Sequence, residues 1–333
     1  MRSCRVAPAI AIGAAGCVGQ QSALDPAGPA AKGIAIMSWL LLAIATVVVV
    51  AVIVLTVLAL RRRPRARASG DDGGETTRAV RFVTVAGIVV PALVLTPILV
   101  YAIVLLVRLH PARQPADLVI EVTGQMWWWS IRYLDRAPEN VFATANEIHI
   151  PVGRRVEARL LSPDVIHSFW VPSLQGKVDH IPGRENVIWI QADTPGVFRG
   201  QCAEYCGLQH ARMAFMVVAH PPDEFERWRS RQLQGAAEPG TPSAQRGQQV
   251  LLRAGCATCH RVRGTPAQGL IGPDLTHVAS RLTLAAGTLP NTRGHLAGWI
   301  ANPQAIKRGT LMPPTPLSPS ELHALLDYLE TLR

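Results

Sequence analysis

Lysine is scarce in this 333-residue chain: only Lys32, Lys177 and Lys307 contribute to its 33 basic residues, and the others are arginine. Aromatic residues make up 5% and no basic patch is interleaved with them, which argues against nucleic-acid binding despite the formal charge of +10. A disordered chain is excluded because 49% of the residues are apolar. The six cysteines form three pairs: Cys4 and Cys17, Cys202 and Cys206, Cys256 and Cys259. Such short-range pairs suit ligand chemistry better than a disulfide framework.

Charged residues are missing from two long stretches near the N-terminus. Residues 33–60 contain none over 28 positions, and Phe82 to Val107 contain none over 26. Each stretch exceeds the roughly 20 residues that span a bilayer, so residues 33–107 are predicted to form a hairpin of two transmembrane helices. Pro91 and Pro97 lie inside the second stretch, where membrane helices tolerate proline, and a kink is expected there.

Arginines cluster between the two apolar stretches, in the segment 61–67 and at Arg78 and Arg81. The positive-inside rule places this loop in the cytoplasm and the chain after Arg108 on the periplasmic side. Residues 1–16 are typical of a secretory signal peptide, and the small residues that precede Cys17 resemble a lipoprotein cleavage site. Cys4 would then be removed with the signal and Cys17 would carry a lipid. The alternative is an uncleaved start with an incidental cysteine.

Residues 115–228 show short alternating apolar segments separated by Pro and Gly turns, which predicts a β-sandwich or barrel. The predicted strands are residues 118–122, 147–150, 156–160, 186–190 and 214–218.

Soft metal donors cluster in the second half of this β domain. Cys202, Cys206, His210 and Met213 lie within twelve residues, and His167 lies upstream in a predicted strand-end loop. Thiolate, imidazole and thioether together favour copper over magnesium or calcium, and zinc rarely takes methionine. A disulfide between the two cysteines, with an unrelated histidine and methionine, is the alternative.

The order and spacing of these donors resemble the binuclear copper A motif of cytochrome c oxidase subunit II. The resemblance covers roughly a hundred residues and includes the segments 164–172 and 179–184. It implies a cupredoxin-type β-barrel in which Cys202 and Cys206 bridge two copper ions. His167 and His210 would each bind one copper. A blue-copper site needs only one thiolate and is therefore the weaker interpretation.

The same resemblance implies roles for several further residues. Met213 and the Glu204 carbonyl would be weak axial ligands, and the Glu204 carboxylate would reach a magnesium or manganese ion beside subunit I. Trp127, in the segment 124–130, would face a docking cytochrome and accept its electrons, although tryptophans in a strand are ordinarily core residues. Glu75, just before the second helix, would pass protons toward subunit I.

Residues 229–242 are polar and small, which predicts a flexible linker. Beyond it, Cys256, Cys259 and His260 form the CxxCH motif of c-type haem attachment, in which the cysteines make thioethers and the histidine binds the iron. A redox or zinc pair is the alternative. Met312 follows at a distance that suits a sixth ligand, and methionine ligation raises the haem potential. His277 and His295 compete for that role.

Residues 243–333 resemble an all-α class I cytochrome c. This domain has nine basic residues against four acidic ones, so an acidic partner face would suit it. The chain as a whole is predicted to be a multidomain membrane protein, with a transmembrane hairpin, a cupredoxin-type barrel and a cytochrome c domain.

This combination resembles subunit II of the bacterial caa(3)-type cytochrome c oxidases. It implies the electron-input subunit of a proton-translocating oxidase in the bacterial inner membrane, with subunits I and III as partners. Electrons from a cytochrome c or another donor would pass from haem c to copper A and on to subunit I, where oxygen is reduced to water. Two alternatives stay open: a subunit of a nitric oxide reductase of the same superfamily, and a membrane-anchored electron carrier without an oxidase partner.

Overall fold

A computed structural model of the chain describes residues 19, 21–61, 73–109 and 116–333, and within residues 73–76 it describes only the backbone. Several predictions lie outside this described part: the signal peptide 1–16 with Cys4, the lipidation of Cys17, most of the arginine-rich segment between the helices, and the side chain of Glu75.

Two long apolar helices form one compact unit, residues 33–113. Helix α1 spans Pro29–Arg61, and α2 (Gly73–Thr84) and α3 (Val90–Leu109) are joined by a π-helical turn at Val85–Val89. Each of the spans Pro29–Arg61 and Thr77–Leu109 has 33 residues and is long and apolar enough to cross a membrane. The π turn ends two residues before Pro91, whose missing N–H interrupts the regular hydrogen bonding there.

The segment before α1 packs onto the β domain. Ala27 donates its backbone N–H to the carbonyl of Ser173 over 2.7 Å and accepts from Asp193 N–H over 2.8 Å. Gly28 lies so close that a Cβ at its position would come within 2.2 Å of the Gln191 carbonyl oxygen. Only glycine fits there, and the close approach lets this segment run along the surface of the β domain.

The β domain is a sandwich of two five-stranded sheets, as the sequence predicted. The first sheet has the order β3-β2-β1-β5-β8, and the second has the order β4-β10-β9-β6-β7. The strands are β1 Leu118–Gln125, β2 Trp128–Leu134, β3 Phe142–Ala145, β4 Glu147–Pro151, β5 Val156–Leu161, β6 His167–Trp170, β7 Val178–His180, β8 Asn186–Ile190, β9 Gly196–Cys202 and β10 Ala214–His220.

Alternation of buried and half-exposed residues along β1 turns one face of its sheet toward the core. Trp129, Phe169 and Phe215 are fully buried there, with Trp129 edge-on to both phenylalanine rings. Cys202 and Cys206 belong to the same buried cluster. The site therefore begins at the edge of a rigid apolar core.

The C-terminal domain is mainly helical and has a separate core. Its helices are α5 Pro242–Arg253, α6 Cys256–Cys259, α7 Arg293–Ala301, α8 Pro303–Ile306 and α9 Pro319–Leu329, with a short hairpin of β11 Thr283–Leu284 and β12 Leu289–Pro290. Helices α5 and α9 cross where Gly247 meets the Ala324 carbonyl, a contact at which a Cβ would lie only 1.9 Å from the oxygen.

The segment predicted as a flexible linker, 229–242, begins within a helix and makes hydrogen bonds to the helical domain. Helix α4 (Pro222–Leu233) covers its first five residues. Arg263 of the helical domain donates to the carbonyls of Gln232 and Leu233, and its own carbonyl accepts from Ala236 N–H over 2.9 Å. Because a single arginine from the following domain satisfies the end of α4, the connection is held in place although its composition is typical of a loop.

Candidate functional site

Two free thiols lie side by side where β9 ends. Cys202 is the last residue of β9, and the Cys202 and Cys206 sulfurs are 3.7 Å apart, well beyond the roughly 2.05 Å of a disulfide bond. The residues are 1% and 3% exposed. This close, dry arrangement allows both sulfurs to bind the same metal ions.

The other predicted donors surround this pair. His167, at the start of β6, is fully buried and its Nδ1 lies 3.8 Å from the Cys202 sulfur. His210 Nδ1 and Met213 Sδ lie 3.6 Å and 3.8 Å from the Cys206 sulfur. Within the described part of the chain, His167, Cys202 and Cys206 are the group of three whose ligand atoms all lie within 4.8 Å of one another.

Glu204 presents two different groups. Its backbone carbonyl oxygen lies 3.2 Å from the Cys202 sulfur and faces the donor cluster. Its carboxylate is 43% exposed and lies 3.8 Å from Lys177 Nζ, on the outer side of the loop. The backbone carbonyl of Glu204 is therefore available to the donor cluster, while its carboxylate is available to a different partner outside the loop.

Electrostatics at the thiol pair favour a bound cation. The Cys202 and Cys206 sulfurs are hydrogen-bonded to each other, and this contact lowers the pKa of Cys202 although burial opposes the shift. The pKa of Cys206 is raised, because its ionisation would lose that hydrogen bond and place two buried thiolates side by side. A metal cation removes this repulsion. Two sulfurs, two imidazoles and a thioether are soft and borderline donors, so the residues present fit copper.

Asp164 orients the His167 ring from outside the cluster. Its Oδ1 lies 2.9 Å from His167 Nε2, which leaves Nδ1 to face the sulfurs. Its other oxygen accepts from Met126 N–H over 2.7 Å. Burial raises the pKa of this carboxyl, but the hydrogen bonds from Met126, Val165 and His167 outweigh it and leave the pKa lowered. Asp164 is thus an ionised acceptor that sets the direction of a ligand.

Replacing Asp164 with Asn should weaken metal binding without removing a ligand. Partners that orient metal-bound histidines typically contribute about 10–100-fold in affinity, and we expect a loss of that size. Copper titration of the apoprotein measures it. Asp223→Asn, at an exposed position in the first turn of α4, is the matched control. Equal affinities for the two variants would contradict the orienting role.

A second site lies in the helical domain. A cavity of about 220 Å³ is lined by Cys256, Cys259, His260 and Met312, which are all four predicted haem residues. His260 Nδ1 lies 2.8 Å from the Pro273 carbonyl and donates to it, so its Nε2 keeps a lone pair for a metal. Burial lowers the pKa of His260, which keeps the ring neutral. The cavity and its residues fit a covalently attached haem.

The two competing histidines lie elsewhere. His277 is 5% exposed, and its ring contacts the carbonyls of Arg333 and Gln234 at 2.7 Å and 3.2 Å. His295 sits in the exposed first turn of α7, where its ring is 2.9 Å from the Thr292 hydroxyl. Neither is among the residues that line the cavity. Both have local structural partners, which favours Met312 as the sixth ligand.

Trp127 connects the two sites. Its Nε1 donates to the Cys206 carbonyl over 2.8 Å, so it touches the backbone of the thiol loop. Its ring packs between two glycines. A Cβ atom placed on Gly207 would lie 3.4 Å from the ring, and one placed on Gly309 would lie 3.6 Å from it. Trp127 also lines the haem cavity. The Trp127 side chain therefore contacts both the loop that carries Cys206 and the cytochrome domain.

Further hydrogen bonds join the domains around this tryptophan. They run from Leu282 N–H to Glu147 Oε2 (2.8 Å), from Ala214 N–H to the Ala286 carbonyl (3.0 Å) and from Gln209 Nε2 to the Arg308 carbonyl (2.7 Å). Arg212 also donates to the Ile306 carbonyl. The cytochrome domain thus packs directly against the loop that carries Cys206, His210 and Met213.

Sequence reasoning assigned no role to Asp164 or Lys307. Asp164 stands three residues before His167, a spacing that lets a carboxylate reach the ring, so a local signal was present. Lys307 carries a weaker signal, since it is one of only three lysines and follows a short apolar segment. Its contact with Trp127, 180 positions away, could not be read from the sequence.

Known proteins resemble this chain along nearly its whole length. The family described as cytochrome C oxidase subunit II, periplasmic domain, matches residues 134–220, and the cytochrome c family matches residues 244–333. A cytochrome c oxidase subunit 2 from Alkalihalophilus pseudofirmus is 36% identical over 329 residues, covering 96% of this chain and 93% of that protein. Its counterpart from Bacillus subtilis is 30% identical over 273 residues, covering 76% and 75%.

Among solved structures, the periplasmic domain of cytochrome oxidase subunit II from Bradyrhizobium japonicum is 34% identical, covering 36% of this chain and 95% of that one, with a TM-score of 0.34. The chain therefore belongs to the cytochrome c oxidase subunit 2 family, in the form that carries a fused C-terminal cytochrome c domain.

Proposed function

We propose that this chain holds two copper ions through Cys202, Cys206, His167, His210 and Met213, and a haem c through Cys256, Cys259, His260 and Met312. The family makes it the membrane-bound electron-transfer subunit of a haem-copper oxidase, working in complex with subunit I. Both groups take up and release single electrons when bound. The relatives found are oxidase subunits, which favours the oxidase over a nitric oxide reductase or a carrier that works alone.

The position of Trp127 carries this proposal. The cytochrome domain places its haem cavity against this side chain, and the Trp127 indole is hydrogen-bonded to the backbone of Cys206. Gly207 and Gly309 present no side chains, so the ring packs against the backbone of both domains. The ring therefore contacts both domains at the point where the two sites approach each other.

The fused domain also removes the need for a diffusive encounter. A short connection keeps a donor at an effective concentration on the order of millimolar, and here Arg263 makes hydrogen bonds to that connection. Electrons from a cytochrome c or another external donor reach this chain at its cytochrome domain. The excess of basic residues in that domain suits a donor with an acidic face.

Replacing Trp127 with Ala should slow electron transfer between the two sites several-fold while both cofactors stay bound. The change removes the ring that fills the space between Gly207 and Gly309 and removes the hydrogen bond to Cys206. Flash-induced electron injection into the cytochrome domain measures the rate. Trp127→Phe keeps an aromatic ring without the indole N–H and separates the two contributions. A wild-type rate in Trp127→Ala would leave Trp127 a purely structural residue.

Three further features belong to this proposal. The copper and cytochrome domains lie on the periplasmic side of the bacterial inner membrane, because the arginine-rich segment between the helices is cytoplasmic. The outward carboxylate of Glu204 binds a magnesium or manganese ion at the boundary with subunit I. Subunit III completes the complex. Labelling of single cysteines added near residue 70 and in the cytochrome domain, in intact cells and in lysed cells, tests the orientation.

A further inference from the structure

Lys307 is a buried lysine without an acidic partner. It follows helix α8 and is 2% exposed. Its Nζ donates to the Trp127 carbonyl over 2.5 Å and to the Ala285 carbonyl over 3.2 Å. An ammonium group has three N–H donors, so one stays available. No carboxylate of the described residues lies within ion-pair distance of it.

Burial of such a charge is costly unless an anion compensates it. Burial lowers the pKa of Lys307 to about 7, while the Cys206 sulfur raises it and Arg212 lowers it further. The other two lysines have carboxylate neighbours, since Lys32 pairs with Asp193 and Lys177 lies near Glu204. Lys307 differs from both because its two hydrogen-bond acceptors in the described part of the chain are backbone carbonyl groups.

The cavity that Lys307 lines also contains two donors without acceptors. Arg281 Nε and Thr283 Oγ1 are buried atoms that have no hydrogen-bond partner in the described part of the chain, and both residues line this cavity. The same cavity is lined by Cys256, Cys259 and His260. A cavity that combines a haem-attachment motif with unpaired cationic and hydroxyl donors suits an anionic group on the haem. Haem c carries two such groups, its propionate carboxylates.

We propose that Lys307 binds a haem propionate and, through its bond to the Trp127 carbonyl, holds that edge of the haem against the copper domain. This inference rests on the proposed function, because it requires a haem in the cavity. Lys307 then acts as a positioning residue. Its ammonium contacts the haem on one side and the backbone of the electron-accepting tryptophan on the other, so one buried charge both pairs the propionate and joins the two domains.

Lys307 should therefore raise the reduction potential of the haem, because a nearby cation stabilises the added electron and offsets the charge of the propionate. Lys307→Met keeps the length of the side chain and removes its charge. In the purified oxidase complex we expect this variant to shift the haem redox equilibrium at least tenfold toward the oxidised form, which is about 59 mV for a one-electron couple. Electron transfer to the copper site should also slow. Spectroelectrochemical titration measures the potential.

Two variants make this test specific. Arg308→Met removes an adjacent but exposed charge and should leave the potential unchanged. Lys307→Arg keeps the buried charge and should retain most of the wild-type potential. If Lys307→Met fails to accumulate with haem and copper, Lys307→Gln removes the charge and keeps a donor for the Trp127 carbonyl. A haem-loaded Lys307→Met or Lys307→Gln variant with the wild-type potential would overturn the role of Lys307 and leave the proposed function unaffected. Lack of covalent haem in the wild-type chain would instead overturn the proposed function.

Discussion

Replacing Cys206 with Ser should abolish the binuclear copper centre and leave the haem intact. The two sulfurs, 3.7 Å apart, both have to bind the metal pair, and a serine oxygen is a poor substitute for a bridging thiolate. The remaining donors would be Cys202, the two histidines and Met213, the set that typically holds a single blue copper. We therefore expect bound copper to fall from two ions to one or fewer, with loss of the near-infrared absorption of the pair.

Metal analysis and absorption spectra of the purified complex check this prediction, and oxygen uptake should be lost in the same preparation. Tyr205→Phe is the matched control because Tyr205 lies in the same loop and is 76% exposed. Its copper content and spectrum should match the wild type. Retention of the near-infrared band in Cys206→Ser would show that the metal pair is held by other residues.

Replacing Met312 with Ala should lower the reduction potential of the haem substantially. Met312 lines the haem cavity with His260, and methionine as the sixth ligand favours the reduced iron. Axial ligands tune haem potentials over roughly 0.8 V, and we expect a fall of about 0.1 V or more. The external donor would then reduce the haem less completely, so oxygen uptake should fall while copper content stays unchanged.

Redox titration of the haem band measures this effect. Met216→Ala is the control, because Met216 lies on β10 and is not among the residues that line the haem cavity. An unchanged potential in Met312→Ala would assign the sixth position to another residue. His277 and His295 would then have to give up the hydrogen bonds that they make at 2.7 Å and 2.9 Å.

The sequence predicted the fold class and the local parts of both sites. Cys202, Cys206, His210 and Met213 are close in the chain, so their spacing alone restricts where their donor atoms can lie. The CxxCH motif is equally local. His167 is more distant, and its role was predicted from a family resemblance. The structure brings its Nδ1 within 3.8 Å of the Cys202 sulfur.

Contacts between distant segments could not be predicted in this way. Trp127 and Lys307 are 180 residues apart, and only the packing of two separately folded domains brings them together. The sequence likewise does not show that Gly309, a glycine with a φ of 85°, lies beside the Trp127 ring. Nothing in the sequence distinguishes Arg263 from the other arginines, yet its side chain donates a hydrogen bond to the Leu233 carbonyl in the connection between the domains. The composition of residues 229–242 gave no sign of the hydrogen bonds that Arg263 makes to Gln232 and Leu233.

We propose that electrons pass between the two sites of this chain along the contact at Trp127. Photochemical injection of one electron into the cytochrome domain of the anaerobic purified complex, followed at the haem and near-infrared copper bands, tests it most directly. We expect the haem to be reoxidised at the same rate as the copper band bleaches, and Trp127→Ala to slow both changes together. Reoxidation of the haem with no change in the copper band would contradict it.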